Sequence, residues 1–311
     1  MTSMEEVQKR FKILFDELGK VIVGQEEVLK QVMISILCDS HALLESYPGL
    51  AKTLSIRTIS NVMDMKFSRV QGTPDLLPSD VTGTYIIEEH KGDKVFKFQE
   101  GPIFGNILLV DEINRATPKT QAAFLEAMQE KQVTIGDKSY LLPSPFFVLA
   151  TQNPIEQEGT FNLPEAQTDR FLLKIKVDYP SFQEELEIVN RYAEDNRLPS
   201  LKKVFNKESV KYLQELTRKM PIARDLKAYA VKIVSNTRTQ KDLIEYGASP
   251  RASIGLIMAS KAKALLEGRK YVSKKDIDDM AFPILRHRII LNFEAQRNNL
   301  TEDDVIKKLL K

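Results

Sequence analysis

Short apolar runs alternate with amphipathic stretches from the start of the chain to about residue 180. The runs typical of β-strands are HALLE (41–45), Lys66–Val70, Asn106–Glu112, Phe146–Pro154 and Arg170–Pro180. Apolar residues recur at helical spacing in 3–19, in the segment that ends near Cys38, in Lys52–Met63 and in 119–130. The alternation predicts an α/β fold with a mainly parallel five-stranded sheet covered on both faces.

Two segments interrupt this alternation of strands and helices. The stretch TYIIEEHKGDKVFKF (84–98) predicts a β-hairpin that turns at Lys91-Gly92-Asp93. The stretch QVTIGDKSYLL (132–142) predicts a second hairpin that turns at Gly136-Asp137. Both lie between core elements, so we interpret them as insertions into the α/β domain.

The pattern changes after Pro180, where every long apolar pattern has helical period and few residues are β-branched. This change predicts a second, all-helical domain. The sequence VDYPS marks the best boundary, so we place the first domain at 1–179 and the helical domain at 180–311.

The composition, with 42% hydrophobic and 28% charged residues, is that of an ordinary globular protein. A formal net charge of +2 provides no general positive field, which argues against a nucleic-acid partner. No run approaches the roughly 18 to 20 apolar residues that cross a bilayer, so no membrane insertion is expected. The N-terminal residues are partly acidic and lack an apolar signal core, which favours a cytoplasmic location.

Cysteine and histidine are too rare here to support a cysteine- or histidine-based metal cluster. Cys38 is the only cysteine, which also excludes an intrachain disulfide. It lies in an apolar stretch, so we expect a buried, inert thiol. The histidines are scattered along the chain and argue against a histidine-rich metal site.

The stretch ESYPGLAKTL (45–54) is close to the phosphate-binding loop G-x-x-x-x-G-K-[ST]. Aligned on Lys52-Thr53, that pattern expects glycine where this chain has Ser46 and Ala51. The loop follows a predicted strand and opens a predicted helix, which is the context that phosphate binding requires. Lys52 would then contact the β- and γ-phosphates and Thr53 would hold Mg²⁺, although a Lys-Thr pair at a helix start also arises by chance.

Polar residues follow two other predicted strands of the sheet. One carboxylate at a strand end can hold Mg²⁺ and the next can polarise an attacking water, so we assign these roles to Asp111 and Glu112. Asn153 would hydrogen-bond the γ-phosphate or that water. The alternatives are solvated acids at a strand end for the first pair and an Asn-Pro turn for Asn153.

Two arginines are candidates for contacts with nucleotide phosphates. Arg170, just before the fifth predicted strand, could reach the phosphates of a neighbouring copy as an arginine finger. The alternative is a surface ion pair with Asp169. Arg251 stands near the start of a helix in the second domain and could close over the phosphates from above.

Six motifs, in order, resemble those of the MoxR family of AAA+ ATPases over nearly the whole chain. IVGQ (22–25) resembles the segment beside the adenine, YPGLAKT the Walker A loop and LLVDEINRA the Walker B strand. VLATQNP resembles sensor 1, LPEAQTDRF the arginine-finger segment and GASPRA sensor 2. Ala51 matches the family's own variant of the loop, and both hairpins match insertions of this branch.

The resemblance implies an AAA+ P-loop core followed by a helical lid, with ATP or ADP and Mg²⁺ as ligands. It also implies a hexameric ring that remodels or matures client proteins, often with partners that carry von Willebrand A domains. The implied catalytic residues are Glu112, Asn153, Arg170 and Arg251, and the implied metal ligands are Thr53 and Asp111. The implied nucleotide-binding residues are Val23, Gly24, Ser46, Pro48, Gly49, Leu50, Ala51, Lys52, Thr53 and Leu54.

Ser46 departs from the family, which normally has glycine at this position. A positive φ there would cost about 1 to 2 kcal/mol, enough to weaken nucleotide binding by about one decade. One alternative is therefore a nucleotide-binding scaffold with little or no hydrolysis. Another, implied by related branches with the same hairpin insertions, is a DNA-directed AAA+ motor.

Overall fold

The computed structural model describes residues 4–90, 93–155, 159–193 and 199–310. A parallel sheet with strand order β2-β5-β8-β1-β9 forms the centre of the first domain. Its strands are β1 (Ala42–Ser46), β2 (Phe67–Gln71), β5 (Ile107–Asp111), β8 (Phe147–Gln152) and β9 (Leu173–Val177). The predicted five-stranded parallel sheet is therefore confirmed, with each strand inside or within one residue of its predicted run.

Helices cover the sheet on both sides. Those of the first domain are α1 (Met4–Gly19), α2 (Glu26–Leu37), α3 (Lys52–Val62), α4 (Pro78–Thr82), α5 (Pro118–Glu130) and α6 (Glu165–Thr168). Alternate strand residues enter two separate cores, because successive side chains of a strand point to opposite faces. One core holds Leu44, Leu109, Leu149 and Ile175. The other holds Leu43, Leu108, Val148 and Ala150.

The two hairpins lie outside the central sheet, as predicted. They are formed by β3 (Gly83–His90) with β4 (Asp93–Glu100), and by β6 (Gln132–Ile135) with β7 (Lys138–Leu141). Phe98 of the first stacks on Tyr140 of the second with ring centroids 4.4 Å apart. The hydroxyls of Tyr85 and Tyr140 are 2.6 Å apart. Lys91 and Gly92 of the predicted first turn lie outside the described residues.

The second domain is helical, with one small antiparallel ribbon that the sequence pattern did not predict. Its elements are α7 (Phe182–Tyr192), α8 (Lys207–Lys219), α9 (Arg224–Thr239), β10 (Ile244–Tyr246), α10 (Pro250–Leu266), α11 (Lys274–Leu285), β11 (Ile290–Leu291), α12 (Phe293–Arg297) and α13 (Glu302–Leu309). One hydrophobic core runs from the sheet into these helices. The boundary at residue 180 stays a prediction, although the sheet ends at Val177 and α7 begins at Phe182.

Arg288 joins the second domain to the residues that enter β9. Its guanidinium, 3% exposed, donates to Asp169 Oδ1 at 2.7 Å. It also donates to the backbone carbonyls of Asp169, Phe171 and Leu172. A buried arginine is stable only when its donors are satisfied, so this geometry fixes the second domain against the strand. In the described part of the chain, no helix has the length and apolar character that a membrane span needs.

Cys38 and His41 are both buried just before and at the start of β1. Burial raises the pKa of the Cys38 thiol, in agreement with the expected inert cysteine. His41 accepts a hydrogen bond at Nδ1 from the Val148 N–H and contacts the Met128 carbonyl through Nε2, each at 3.0 Å. This pairing requires a neutral ring that carries its proton on Nε2. Burial also lowers the pKa of His41 to about 4.

We expect His41 to make the fold sensitive to moderate acid. Its pKa is lower in the folded chain than its ordinary value near 6.5, so the unfolded chain binds the proton first as the pH falls. Its contribution is complete above pH ~6.5 and is lost between there and pH ~4. Urea unfolding at pH 7 and pH 4.5 should show a loss about 2 kcal/mol larger in wild type than in His41→Asn. Equal losses in the two proteins would contradict this role.

Candidate functional site

The loop between β1 and α3 has the backbone shape of a phosphate cradle. Gly49 and Ala51 have left-handed backbone, with φ of 82° and 52°, which turns the chain tightly before Lys52 opens the helix. Lys52 Nζ lies 3.4 Å from the Ser46 carbonyl oxygen, across the mouth of the loop. Gln25 Nε2 donates to the Leu50 carbonyl at 3.2 Å and so ties the IVGQ segment to the loop. Backbone N–H groups at such a helix start attract phosphate.

Ser46 does not carry the strain considered from the sequence. It is the last residue of β1, is 1% exposed and donates from Oγ to the Tyr47 carbonyl. Among the residues the structure describes, the positive φ values of this loop belong to Gly49 and Ala51 instead. The cost of about 1 to 2 kcal/mol therefore applies to Ala51, the alanine that resembles the family's own variant.

The segment proposed to lie beside the adenine packs against the second domain. Val23 is 8% exposed, and Gly24 has a φ of 67°. A Cβ added at Gly24 would stand 2.3 Å from Glu184 Oε1, on helix α7. Tyr47 of the phosphate loop stacks on Tyr179 of the domain junction with ring centroids 5.0 Å apart. The phosphate loop thus contacts the domain junction through Tyr47. The IVGQ segment, which Gln25 ties to that loop, contacts α7 of the helical domain at Gly24.

The buried Thr151 hydroxyl links the Asp111 carboxylate to the backbone of Glu112 at the end of β5. It donates to Asp111 Oδ1 at 2.7 Å and accepts the Glu112 N–H at 2.9 Å. Glu112 itself has left-handed backbone, with a φ of 55°, a strained conformation for a residue other than glycine. The strain directs Glu112 away from the path of the strand, and Thr151 fixes both residues. Sequence reasoning missed Thr151, although it stands in the same polar run as Asn153.

Side chains of β2 hold the outer oxygens of the same carboxylates. Arg69 Nη2 pairs with Asp111 Oδ2 at 2.8 Å, and Gln71 Nε2 donates to Glu112 Oε2 at 2.9 Å. Arg115 Nη1 also reaches Glu112 Oε2, at 3.3 Å. Both acids are therefore engaged by donors and are not freely solvated, in contrast to the alternative left open from the sequence.

A polar cavity of about 500 Å³ opens beside the end of β8. Its lining includes Glu45, Asn114 and Asn153. Asn153 Oδ1 accepts the Ile155 N–H at 3.2 Å, which is the turn considered as the alternative for this residue, and the residue still borders the cavity. Asn114 Oδ1 is buried and has no hydrogen-bond partner in the described structure, so it can accept one from a molecule in the cavity.

The residues at the strand ends fit a nucleotide with magnesium. Thr53, in the first turn of α3, and Asp111, at the end of β5, are oxygen donors at one edge of the sheet. No group of three or more histidine, cysteine or acidic residues suited to a metal occurs in the described ranges. Magnesium commonly binds through one or two protein oxygens together with substrate phosphates and water, so this sparse donor set suits it.

Arg170 and Arg251 lie together at the other edge of the sheet. They line a cavity with Ser40 and Leu172, which precede β1 and β9, whereas the phosphate loop follows β1. Five residues of strand separate the two edges by about 13 Å. Arg251 therefore lies at the edge away from the phosphate loop of its own chain, because its helix begins beside Asp169, 3.5 Å from Arg251 Nη1.

The ion pair considered for Arg170 and Asp169 is also absent from the described structure. Asp169 pairs with Arg288 and Arg251, and accepts from Ser249 Oγ at 3.0 Å. Arg170 donates from Nη1 to the Leu125 carbonyl at 2.9 Å, while its buried Nε has no partner. Arg170 is thus held by one backbone contact and keeps donor capacity toward the cavity.

We expect glycine substitutions at Ser46 and Ala51 to have different effects on the free energy of unfolding. Ser46→Gly should leave ATP affinity within about twofold and lower the free energy of unfolding by about 0.5 to 1 kcal/mol, since glycine weakens a strand. Ala51→Gly should not lower it, because relief of left-handed strain offsets that entropy. Fluorescent-nucleotide titration and urea unfolding measure both quantities. A tenfold affinity gain in Ser46→Gly alone would show that the serine weakens the site.

Removal of the Thr151 hydroxyl should destabilise the strand ends. Thr151→Val leaves the Glu112 N–H without a partner in a buried position, which costs about 1 to 3 kcal/mol. Thr151→Ser keeps the hydroxyl and should lose less than half as much. Urea unfolding of the two variants makes the comparison. Equal destabilisation would indicate that methyl packing, rather than the hydrogen bonds, is what Thr151 supplies.

Comparison with known proteins places both domains. A family model described as "ATPase family associated with various cellular activities (AAA)" matches residues 41–173. A second model, described as "AAA lid domain", matches residues 236–309. A solved structure of a candidate ATPase from Cytophaga hutchinsonii aligns with a TM-score of 0.92 and 44% identity, over 99% of this chain and 95% of that one.

Relatives with assigned names agree with this placement. The chain is 42% identical to Chaperone MoxR1 of Mycobacterium tuberculosis, over 94% of this chain and 79% of the relative. It is 40% identical to the protein YeaC of Bacillus subtilis, over 100% of this chain and 96% of the relative. Protein MoxR of Paracoccus denitrificans is 29% identical over 96% of this chain and 94% of the relative. The chain therefore belongs to the MoxR family of AAA+ ATPases.

Proposed function

We propose that this protein hydrolyses ATP in a Mg²⁺-dependent reaction within a ring of identical copies, by resemblance a hexamer, and uses the reaction to remodel partner proteins. One observation carries the proposal: Lys52 and Glu112 lie at one edge of the sheet and Arg170 lies at the other. A site that needs both ends is complete only between two copies. Contacts of this head-to-tail kind generate rings when the rotation closes.

Each residue at the carboxyl edge has a role that its contacts suit. The loop backbone and Lys52 bind the phosphates, and Thr53 and Asp111 are the ligands of Mg²⁺. The ion would neutralise phosphate charge. Glu112 orients the attacking water and accepts its proton, while Asn153 hydrogen-bonds the γ-phosphate or that water from the neighbouring cavity. Gln71 and Arg115 hold the Glu112 carboxylate at a defined starting position.

Arg170 and Arg251 supply positive charge from the neighbouring copy. An arginine that reaches a transferring phosphoryl group stabilises the charge that develops in the transition state. Because Arg251 shares a cavity with Arg170, we assign both to the adjacent copy's nucleotide. The sequence expectation was that Arg251 closes over the phosphates, and this proposal assigns those phosphates to the adjacent copy.

The scaffold alternative loses its main argument. It rested on a strained Ser46 that would weaken the nucleotide site, and Ser46 lies in a regular strand. A DNA-directed motor has no supporting feature beyond family resemblance, since the net charge is only +2.

Client remodelling is proposed from the relatives. One of them is named a chaperone. Partners with von Willebrand A domains, and a cytoplasmic location, are carried over from the sequence analysis on the same footing.

Substitutions of Glu112 and Arg170 test the two halves of the proposed site separately. Glu112→Gln should lower ATP turnover about a hundredfold or more, because the base is lost while the loop is intact. Arg170→Ala should lower it about a thousandfold while leaving nucleotide affinity unchanged. Wild-type turnover per chain should rise with protein concentration, since each site needs a second copy. Phosphate release measured over a concentration series tests all three.

Arg224→Ala is the matched control, because Arg224 is an exposed arginine at the start of α9, away from the cavity of Arg170. It should behave as wild type. Equal phosphate release by wild type and Glu112→Gln would refute ATP hydrolysis by this site. Turnover independent of both protein concentration and Arg170 would refute the contribution from a neighbouring copy.

A further inference from the structure

The cavity that holds Arg170 and Arg251 has a volume of about 320 Å³. We call it the arginine cavity. Two further arginines, Arg288 and Arg218, line it. Arg288 belongs to the domain contact described above, whereas Arg218 has no role in the fold or in the proposed reaction so far.

The acids of the arginine cavity are already engaged by other cations. Asp39 pairs with Lys131. Asp169 is shared by Arg288, at 2.7 Å, and Arg251, at 3.5 Å. No carboxylate in the described part of the chain pairs with Arg170 or Arg218. The cavity therefore carries an excess of positive charge, which favours an anion that is rich in oxygen acceptors.

Arg218 enters the cavity from the last turn of α8, in the second domain. Its backbone carbonyl accepts from Lys261 Nζ at 2.7 Å, so the main chain is fixed at this point. The guanidinium has no hydrogen bond or ion pair to any described residue, and its charge acts on the Cys38 thiol at the cavity wall. Arg218 is an exposed residue that lines the cavity, so its uncommitted guanidinium is available to a ligand that enters there.

The rim of the cavity indicates that a protein surface covers it. Ile254 of α10 is 65% exposed beside Arg251, and the partly buried Met258 of the same helix also lines the cavity, whereas Met128, which lines it too, is buried. Apolar residues around uncommitted arginines are typical of an interface centre. At the other edge of the sheet, the same chain presents Asp111, Glu112 and the phosphate loop. A second copy in head-to-tail contact would therefore bring its phosphate loop, with the nucleotide phosphates proposed to bind there, to the arginine cavity.

We propose that Arg218 is a third arginine, supplied by the helical domain, that contacts the nucleotide phosphates bound to a neighbouring copy. This inference rests on the proposed function, because it requires the same head-to-tail pairing that brings Arg170 to the neighbour. Arg170 belongs to the sheet domain and Arg218 to the helical domain, so the bound phosphates are held from both domains of the adjacent chain. ATP turnover at one site would thus depend on the position of the second domain in the adjacent chain that supplies Arg218.

The first test compares Arg218→Ala with Lys219→Ala, a control that removes an exposed cation from the next position of the same helix. A charge-assisted hydrogen bond to phosphate contributes about 1.5 to 3 kcal/mol, so ATP turnover should fall about ten- to a hundredfold in Arg218→Ala alone. Thermal unfolding of the two variants should coincide. Affinity for a fluorescent ATP analogue at low protein concentration should equal wild type, because the arginine serves another chain's site.

The second test mixes variants so that one chain supplies what the other lacks. Lys52→Ala chains cannot hold nucleotide but retain all cavity arginines, so mixing them with Arg218→Ala chains should restore part of the lost turnover. The same mixture with Arg170→Ala should also recover. A mixture of Lys52→Ala with Glu112→Gln should not, because the chain that holds nucleotide lacks its own base.

The outcomes distinguish the role of Arg218 from the proposed head-to-tail site on which it rests. Turnover of Arg218→Ala equal to that of Lys219→Ala would overturn the role of Arg218. Recovery of Arg170→Ala but not of Arg218→Ala on mixing would also overturn it, since the arginine would then act within its own chain. Failure of Arg170→Ala to recover would refute the proposed head-to-tail site itself.

Discussion

The parallel pairing of β1 with both β8 and β9 determines where the residues of the candidate site lie. Because all five strands run in one direction, every segment that leaves a strand emerges at the same edge of the sheet. The phosphate loop, Asp111, Glu112 and Asn153 come from distant parts of the sequence, yet each follows a strand. Antiparallel pairing of any one strand would send its residue to the opposite edge. The assembly of the site is therefore a property of strand direction before it is one of side-chain chemistry.

The same constraint places the two parts of the proposed site at opposite edges. Segments that enter strands carry Arg170 and the residues around the arginine cavity, while segments that leave strands carry the acids. A single chain cannot bring the two together, because the strands between them are rigid and buried. Under the proposed function, association with further copies joins them, and a monomer with a complete set of motifs would be incomplete as a catalyst.

The sequence predicted the strands of the central sheet, both hairpins and the main helices, because each of these elements has a hydrophobic period that its burial requires. It also predicted which residues follow strands, which is why Lys52, Asp111 and Glu112 were found. It misplaced the strain in the phosphate loop, since a motif names the positions of glycines but does not tell which of them needs a positive φ. Thr151, Arg69 and Gln71 were missed because their roles depend on pairing between strands. The position of Arg251 relative to the sheet could not be predicted, because local periodicity does not encode the orientation of a second domain.

Arg288 has a mechanical consequence for the molecule. It donates to the side chain of Asp169 and to backbone carbonyls on both sides of Arg170, from a helix-end position in the second domain. A displacement of the second domain must either break these buried bonds or carry the 169–172 segment with it. The helical domain and Arg170, the proposed arginine finger, should therefore move together, because they are joined at the start of β9. Through Arg288 and the other second-domain contacts of Asp169, a displacement of the helices of one copy would change the position of Arg170 relative to the nucleotide proposed for its neighbour.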